Sequence, residues 1–466
     1  MKPIKSLLLI TCVVSSCNVG PRFVKPQPKM PADFASRANA ANAAHAAEVD
    51  ATWWRKLNDS TLNELVAQAD AQNKDIAAAR SRLLEARALW RESSFNYAPT
   101  VTFGSAYDSV RNGATSFSGL RTRDFELYRT GFDADWELDF FGRIRNSVKA
   151  AKANSSAMDA NLHDLLISLQ SEIAINYLEL RGAQAQLTVA NENAGNQSDA
   201  MHIAEASLKG GRGTQLDVAR ANALWNATLA QIPTHQENIA RSIHRIAVLC
   251  GQNPSELRPR LQSIKKQPAV PARIGIVKPE ELLRRRPDIR VAEDILAAET
   301  ARIGVAVADL FPRVTFSGRI DLEASTLGSL TGRNSDGFTL GPRITWAAFN
   351  LGRVRQQIAA AGRRADAALA RYEQTVLLAL EEAENALTSY DRERIRLHHL
   401  EASAASAREA ATLARKRYQD GIADFLTVLD AERVALNAQN DIALSRTRVA
   451  TAWVRIYKAM GGGWKS

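Results

Sequence analysis

The sequence predicts a mainly α-helical protein with a β segment suited to a membrane, built as a duplicated half-repeat. Three observations predict it. First, Trp136 recurs as Trp346, and the same offset of 210 pairs Gly142 with Gly352, Arg143 with Arg353, Gly211 with Gly421, Leu216 with Leu426 and Ala221 with Ala431, without a gap. A period that long exceeds solenoid repeats and marks duplication of half the chain. Second, apolar residues between those markers recur in threes and fours. Leu162, Leu166, Leu169, Ile173 and Tyr177 do so, and Tyr372, Val376, Ala379, Ala383 and Leu387 do so again, which is one face of a packed helix. A helix from Gly142 to Gly211 would run roughly 100 Å at about 1.5 Å per residue. Third, after Pro99 and again after Pro312 the period drops to two, with aromatics on one side.

The composition permits this. The chain has 466 residues, 45% of them hydrophobic, which is ample for a core. A net charge of +10 raises nucleic acid as a partner. However, the basic residues are interleaved with acids along helices, and only short clusters such as Arg284-Arg285-Arg286 and Lys265-Lys266 stand apart. Solvated helix faces account for them, and no nucleic acid is expected.

Residues 1–16 read as a secretory signal: Lys2 and Lys5, then the apolar run Leu7 to Val14, then Ser15-Ser16. The ending resembles a bacterial lipobox, which makes Cys17 the first mature residue and the bearer of an N-acyl diacylglyceryl (palmitate-type) lipid. With Cys12 removed and Cys17 lipidated, Cys250 is alone, so no intrachain disulfide forms. Asn18, rather than Asp, follows the lipid-bearing residue, which favours the outer membrane. No later run of about 18 apolar residues exists to make a spanning helix. Residues 17–50, rich in Pro and then Ala, read as an extended segment leading from the lipid.

The first repeat occupies 51–253. Trp53-Trp54 and the cap cluster Asn58-Asp59-Ser60 precede a helix with Leu62, Leu65, Val66 and Ala69 inward, and a second helix covers about 74–93. A hairpin follows at about 100–138. In it Val101, Phe103 and Tyr107, then Tyr128, Phe132 and Trp136, alternate around a loop at 111–121. Long helices cover about 142–249, turning at Gly210-Gly211-Arg212-Gly213, with one helix expected from Gln215 to Leu249. Residues 254–279 hold five prolines and read as an irregular crossover. The second repeat, 280–466, has a hairpin at about 313–348, its loop at 326–337, and helices at about 352–460. Pro342 within the run counts against the return strand there.

Two hairpins supply four strands, and four strands cannot close a barrel; about eight is the usual minimum. Lipid tolerates no open sheet edge. Strands in a membrane therefore require several chains to share one barrel: eight strands from two chains, or twelve from three. A small soluble sheet packed on helices, or a plain coiled-coil rod, are the alternatives.

Val19-Gly20-Pro21, Arg285-Arg286-Pro287-Asp288-Ile289-Arg290-Val291-Ala292-Glu293 and Leu426-Thr427-Val428-Leu429-Asp430-Ala431 resemble the outer membrane factor family of TolC- and OprM-like channels, nearer its lipoprotein branch. The resemblance covers essentially the whole mature chain. It implies a homotrimer in which a twelve-stranded outer membrane β-barrel continues into a twelve-helix periplasmic α-barrel. Its partners are then a periplasmic adaptor and an inner-membrane pump of the resistance-nodulation-division type. It further implies that drugs and other toxic small molecules, antibiotics among them, leave through a channel that does no chemistry and needs no cofactor. A TolC-type protein-secretion conduit and a lipid-anchored periplasmic scaffold without a pore are the competing functions.

Gly211, Arg212, Gly213, Thr214 and Leu216, with Gly421, Ile422, Ala423 and Asp424, match the hairpin tips on which adaptors dock; alternatively the glycines only cap helices. Leu426, Asp430 and Arg433 match a periplasmic gate. Three copies of a carboxylate on one axis would repel each other and select cations. The plainer alternative is an Asp430–Arg433 surface pair at i,i+3. Asp217 and Tyr418 match positions that tie TolC tips together, but Ala423 stands where TolC has Arg and Thr427 where it has a second Asp. Enzyme signatures such as HExxH, CxxC, a Walker loop or a nucleophile elbow are missing, and His398-His399 are adjacent on a helix, too divergent to share a metal.

Overall fold

The computed structural model describes residues 18–37, 44–45, 50–111, 124–271 and 274–464. The signal, Cys17 and most of the first hairpin loop lie outside them. In chain order the first half contains β1 (Ala44–His45), α1 (Ser60–Gln72), α2 (Lys74–Phe95), β2 (Thr100–Arg111), β3 (Asp124–Leu138) and α3 (Arg143–Lys209). Then come α4 (Gln215–Leu229), α5 (Gln231–Leu249), α6 (Arg258–Leu261) and β4 (Ile274–Gly275). The second half adds α7 (Pro279–Arg285), α8 (Pro287–Ala308), β5 (Arg313–Ala324), β6 (Asp336–Thr345), α9 (Leu351–Gln419) and α10 (Phe425–Ala459).

Two compact units emerge, and they are not the two sequence repeats. Among the described residues, unit 1 takes those within 1–27, 81–159 and 291–373; unit 2 takes those within 28–80, 160–290 and 374–466. Each draws on both repeats, and the boundaries after Arg80, Asp159, Arg290 and Glu373 all fall inside helices.

Unit 1 holds the sheet, whose order is β2-β3-β5-β6, all antiparallel. Its two hairpins thus join through β3 and β5, leaving β2 and β6 as edges. Pro342 lies within β6 opposite Phe316, where it leaves the strand one N–H donor short. α3 starts directly after Gly142, which has φ +83°. The Asp139 carboxylate accepts from the Ile144 and Arg145 N–H groups at 3.0 and 2.9 Å, satisfying donors that a helix start leaves open.

Unit 2 holds the main core. Trp53 is fully buried, stacked on Tyr457 at 5.6 Å and edge-on to Trp453 at 5.7 Å. Asp59 caps α1 by accepting from Leu62 N–H at 3.0 Å, and its other oxygen accepts from the Tyr177 hydroxyl at 2.7 Å, tying the cap to α3. The Arg-Arg-Pro-Asp stretch is structural. The Arg286 side chain, 10% exposed, reaches Asp288 and Glu382 at 2.8 Å each and donates to the Ala459 carbonyl at 2.9 Å. Burial opposes its charge, but Asp288 and Glu382 outweigh that and hold the guanidinium more firmly protonated than usual. Beside this cluster, burial and the neighbouring Asp288 carboxylate push Asp164 up to about 6.

Two expectations need correction. The helix expected over 215–249 is two helices, interrupted at Ala230. Pro233 has no N–H to give the Leu229 carbonyl, so the helix restarts with Pro233 in a first turn, where the missing donor costs nothing. The crossover 254–279 is not wholly irregular: it contains α6 and β4. The extended 17–50 segment includes β1, which pairs in parallel with β4 through Ala44 with Ile274 and His45 with Gly275.

Candidate functional site

The first functional surface is the sheet. Side chains alternate across a strand, so the register sorts them into two faces. Phe103 lies opposite Phe132, Trp136 opposite Phe316, and Ile320 between Phe132 and Phe338, so one face is apolar; its Phe103, Phe132, Ile320 and Phe338 are exposed. The other face is a ladder of charge. Arg319 Nε meets Asp133 Oδ1 at 2.9 Å, and Arg129 meets Glu323 at 2.9 Å and Asp321 at 3.4 Å. Ser317 Oγ donates to Asp135 at 2.7 Å. A sheet with one oily face, one charged face and two unpaired edges is a segment of a water-filled barrel rather than a soluble layer, which would bury its apolar face on helices.

The second surface is the pair of helix-hairpin tips, in unit 2. After α3, Gly211 takes φ +73°, and the Arg212 and Gly213 N–H groups return to the Ser207 carbonyl at 2.9 and 3.1 Å. After α9, Gly421 takes φ +74°, and Ile422 and Ala423 return to the Arg417 carbonyl at 2.8 and 3.2 Å. Both are left-handed helix endings that favour glycine. The following helices are capped by exchanged residues. In the first, the Thr214 hydroxyl accepts from Asp217 N–H at 3.2 Å and the Asp217 carboxylate accepts from Thr214 N–H at 3.0 Å. In the second, Asp424 is the cap and accepts from Thr427 N–H at 2.9 Å. Hydrogen bonds from the Thr427 hydroxyl and N–H hold the Asp424 carboxyl below its ordinary value.

The tips are joined to each other. The Tyr418 hydroxyl donates to Ser207 Oγ at 3.0 Å, and its ring meets Phe425 at 5.2 Å over a cluster of Ala200, Ala204, Ala221 and Leu429. The Tyr418 hydroxyl thus bonds α9 to α3 near the two tips within the chain, whereas Asp217 is engaged in its own cap. Further along α10, Leu426 is exposed, and Asp430 pairs with Arg433 at 2.6 Å with both side chains about 60% exposed. Gly211, Arg212, Gly213, Leu216, Gly421 and Ile422 are accessible at the turns. Sequence reasoning missed Phe425 and Ser207, and also the Arg415–Glu432 bond at 2.6 Å, which straps α9 to α10 above the second tip. Among the described residues no group of His, Cys, Asp and Glu could hold a metal, and no helix is long and apolar enough to cross a membrane.

Fold and surfaces together define an outer membrane channel subunit: a barrel segment plus long periplasmic-type helices. The chain belongs to the outer membrane efflux protein family, whose model matches residues 65–252 and 279–462, the two halves of the duplication. It is 30% identical to nodulation protein T of Rhizobium leguminosarum bv. trifolii, covering 99% of this chain and 97% of that one. It is 29% identical to outer membrane protein OprJ of Pseudomonas aeruginosa, covering 98% and 95%. The solved outer-membrane channel OprN superposes with a TM-score of 0.91 at 41% identity, covering 96% of this chain and all of that one. Members of this family are trimeric efflux channels of Gram-negative outer membranes, with large periplasmic helical portions, joined to periplasmic adaptors and inner-membrane pumps; this chain is one of them.

Proposed function

We propose that three copies of this chain close one twelve-stranded barrel, the β6 edge of each pairing with the β2 edge of the next, and that toxic small molecules such as antibiotics pass through it without chemical change. The observation that carries this is the four-stranded sheet with one apolar face, one charged face and both edges unpaired. An even number of antiparallel strands per chain lets β6 meet a neighbour's β2 in antiparallel sense, so closure leaves no edge in lipid. The tips around Gly211 and Gly421 dock the adaptor, and Leu426, Asp430 and Arg433 form the periplasmic gate. Asp217 acts by fixing the first tip through its cap. Cys17 carries the lipid that holds the N-terminus at the membrane.

Deleting the gene should sensitise the cell to a panel of antibiotics, dyes and solvents, with resistance restored by re-expression. Unchanged susceptibility together with a lost secreted protein would replace efflux with protein secretion.

A further inference from the structure

The apolar face of the sheet has a defect in its row of large side chains. On β3, Ala134 stands between Phe132 and Trp136; on β5, Gly318 stands between Phe316 and Ile320. The register sets Ala134 opposite Gly318 and Gly318 opposite Leu340, so the small residues fall side by side. The result is an apolar notch of about 340 Å³, walled by Phe132, Ile320, Phe338 and Leu340. Gly318 is its floor: a Cβ there would stand 3.0 Å from Leu340 Cδ1.

The start of the described chain lies at the foot of the same two strands. Val19 N–H donates to the Phe141 carbonyl at 3.3 Å, and Asn146 Nδ2 donates to the Val19 carbonyl at 3.2 Å. Phe141, just past β3, stacks at 4.5 Å on Phe311, just before β5. Glycines make the clamp tight: a Cβ on Gly142 would meet Asn18 Oδ1 at 2.1 Å, and one on Gly20 would meet the Gly304 Cα at 2.5 Å. Cys17 is one peptide bond from Asn18. From Leu138 at the foot of β3 to Ala134 is roughly 14 Å at about 3.4 Å per residue. One leaflet of hydrocarbon is roughly 15 Å, half of a core about 30 Å thick.

We propose that the Ala134–Gly318 notch seats an acyl chain of the lipid carried by Cys17. This rests on the lipoprotein reading above. Without a hydrophobic driving force inside lipid, the gain is packing: a chain lying in the notch contacts side chains on three sides where bulk lipid contacts one. The clamp at Asn18, Val19 and Gly20 leaves the anchor no leash with which to wander from these strands, so its own chains are the ones held over the notch.

The test places the photoreactive residue benzoylphenylalanine at Ile320, in the notch, or at Phe103, on the same apolar face but on β2, in full-length protein in native outer membranes. Adducts are then mapped by mass spectrometry. The expected result is a crosslink from position 320 to the lipidated N-terminal peptide, several-fold above that from position 103. Filling the notch with Ala134→Phe should remove it while the mass of the N-terminal peptide stays unchanged. A lipidated N-terminal peptide with crosslinks from position 320 only to bulk phospholipid, or to a neighbouring copy, would overturn the seat and leave the lipoprotein standing. An N-terminal peptide without lipid would overturn both.

Discussion

Trp136 and Trp346 make the same hydrogen bond at equivalent points of the two repeats. The Trp136 indole Nε1 donates to the Tyr97 carbonyl at 3.0 Å, and the Trp346 indole to the Leu310 carbonyl at 2.9 Å. The partners are 39 residues apart in the first repeat and 36 in the second, so each indole clasps the two legs of its hairpin despite the difference in length. Trp136→Phe and Trp346→Phe should each cost about 1 kcal/mol, the net worth of one hydrogen bond. The two share no partner, so their effects on the melting temperature of the purified protein should add. An unchanged melting temperature in the double variant would remove the clasp.

Gly211 and Gly421 have positive φ and open space around the site of a Cβ, so a substitution there meets only backbone strain. Gly211→Val and Gly421→Val should each cost roughly 1–2 kcal/mol locally and weaken adaptor binding. Asn tolerates this conformation, so Gly421→Asn should retain most binding; equal loss in the Asn and Val variants would show that the turn is not the cause.

The Asp430–Arg433 pair is solvent-exposed, so its contribution to stability is small, about 0.3–0.5 kcal/mol. The proposed gate puts its importance in conduction. Asp430→Ala should raise single-channel conductance or loosen cation selectivity with little change in melting. An unchanged trace would reduce the pair to a surface contact.

Asp164 gives a pH dependence of defined sign. Its folded value, about 6, lies above its ordinary 3.8, so the folded state holds the proton more tightly. Its contribution is fully present below about 4 and is lost as pH rises to about 6. Relative to Asp164→Asn, the wild type should lose on the order of 2 kcal/mol between pH 4 and pH 7. Parallel melting curves across that range would contradict the assignment.

Arg286 is the buried charge on which Asp288 and Glu382 converge. Arg286→Ala strands two carboxylates and should cost roughly 3–5 kcal/mol, seen as lost folded protein. Arg286→Lys keeps the charge without the fork and should recover only part of it, as read from the yield of folded protein. Full recovery with Lys would show that charge alone suffices.

Much of this was legible in the chain. The 210-residue offset needs no structural knowledge, and the period-two runs after Pro99 and Pro312 name the hairpin faces. Pro233 was the overlooked signal that splits the 215–249 helix. The β1–β4 pairing could not be read, because two-residue strands carry no period. Phe425 has Gln215 as its repeat counterpart, so the duplication gave no hint of its role. The Arg286–Glu382 and Tyr418–Ser207 contacts join residues far apart in sequence, which only the fold brings together.

The most direct test of the central claim is planar-bilayer conductance of the purified protein, with its oligomeric mass determined in the same detergent. The account predicts discrete channel steps from a trimer. A monomeric or dimeric mass would contradict it, because four strands per chain could then not complete a twelve-stranded barrel.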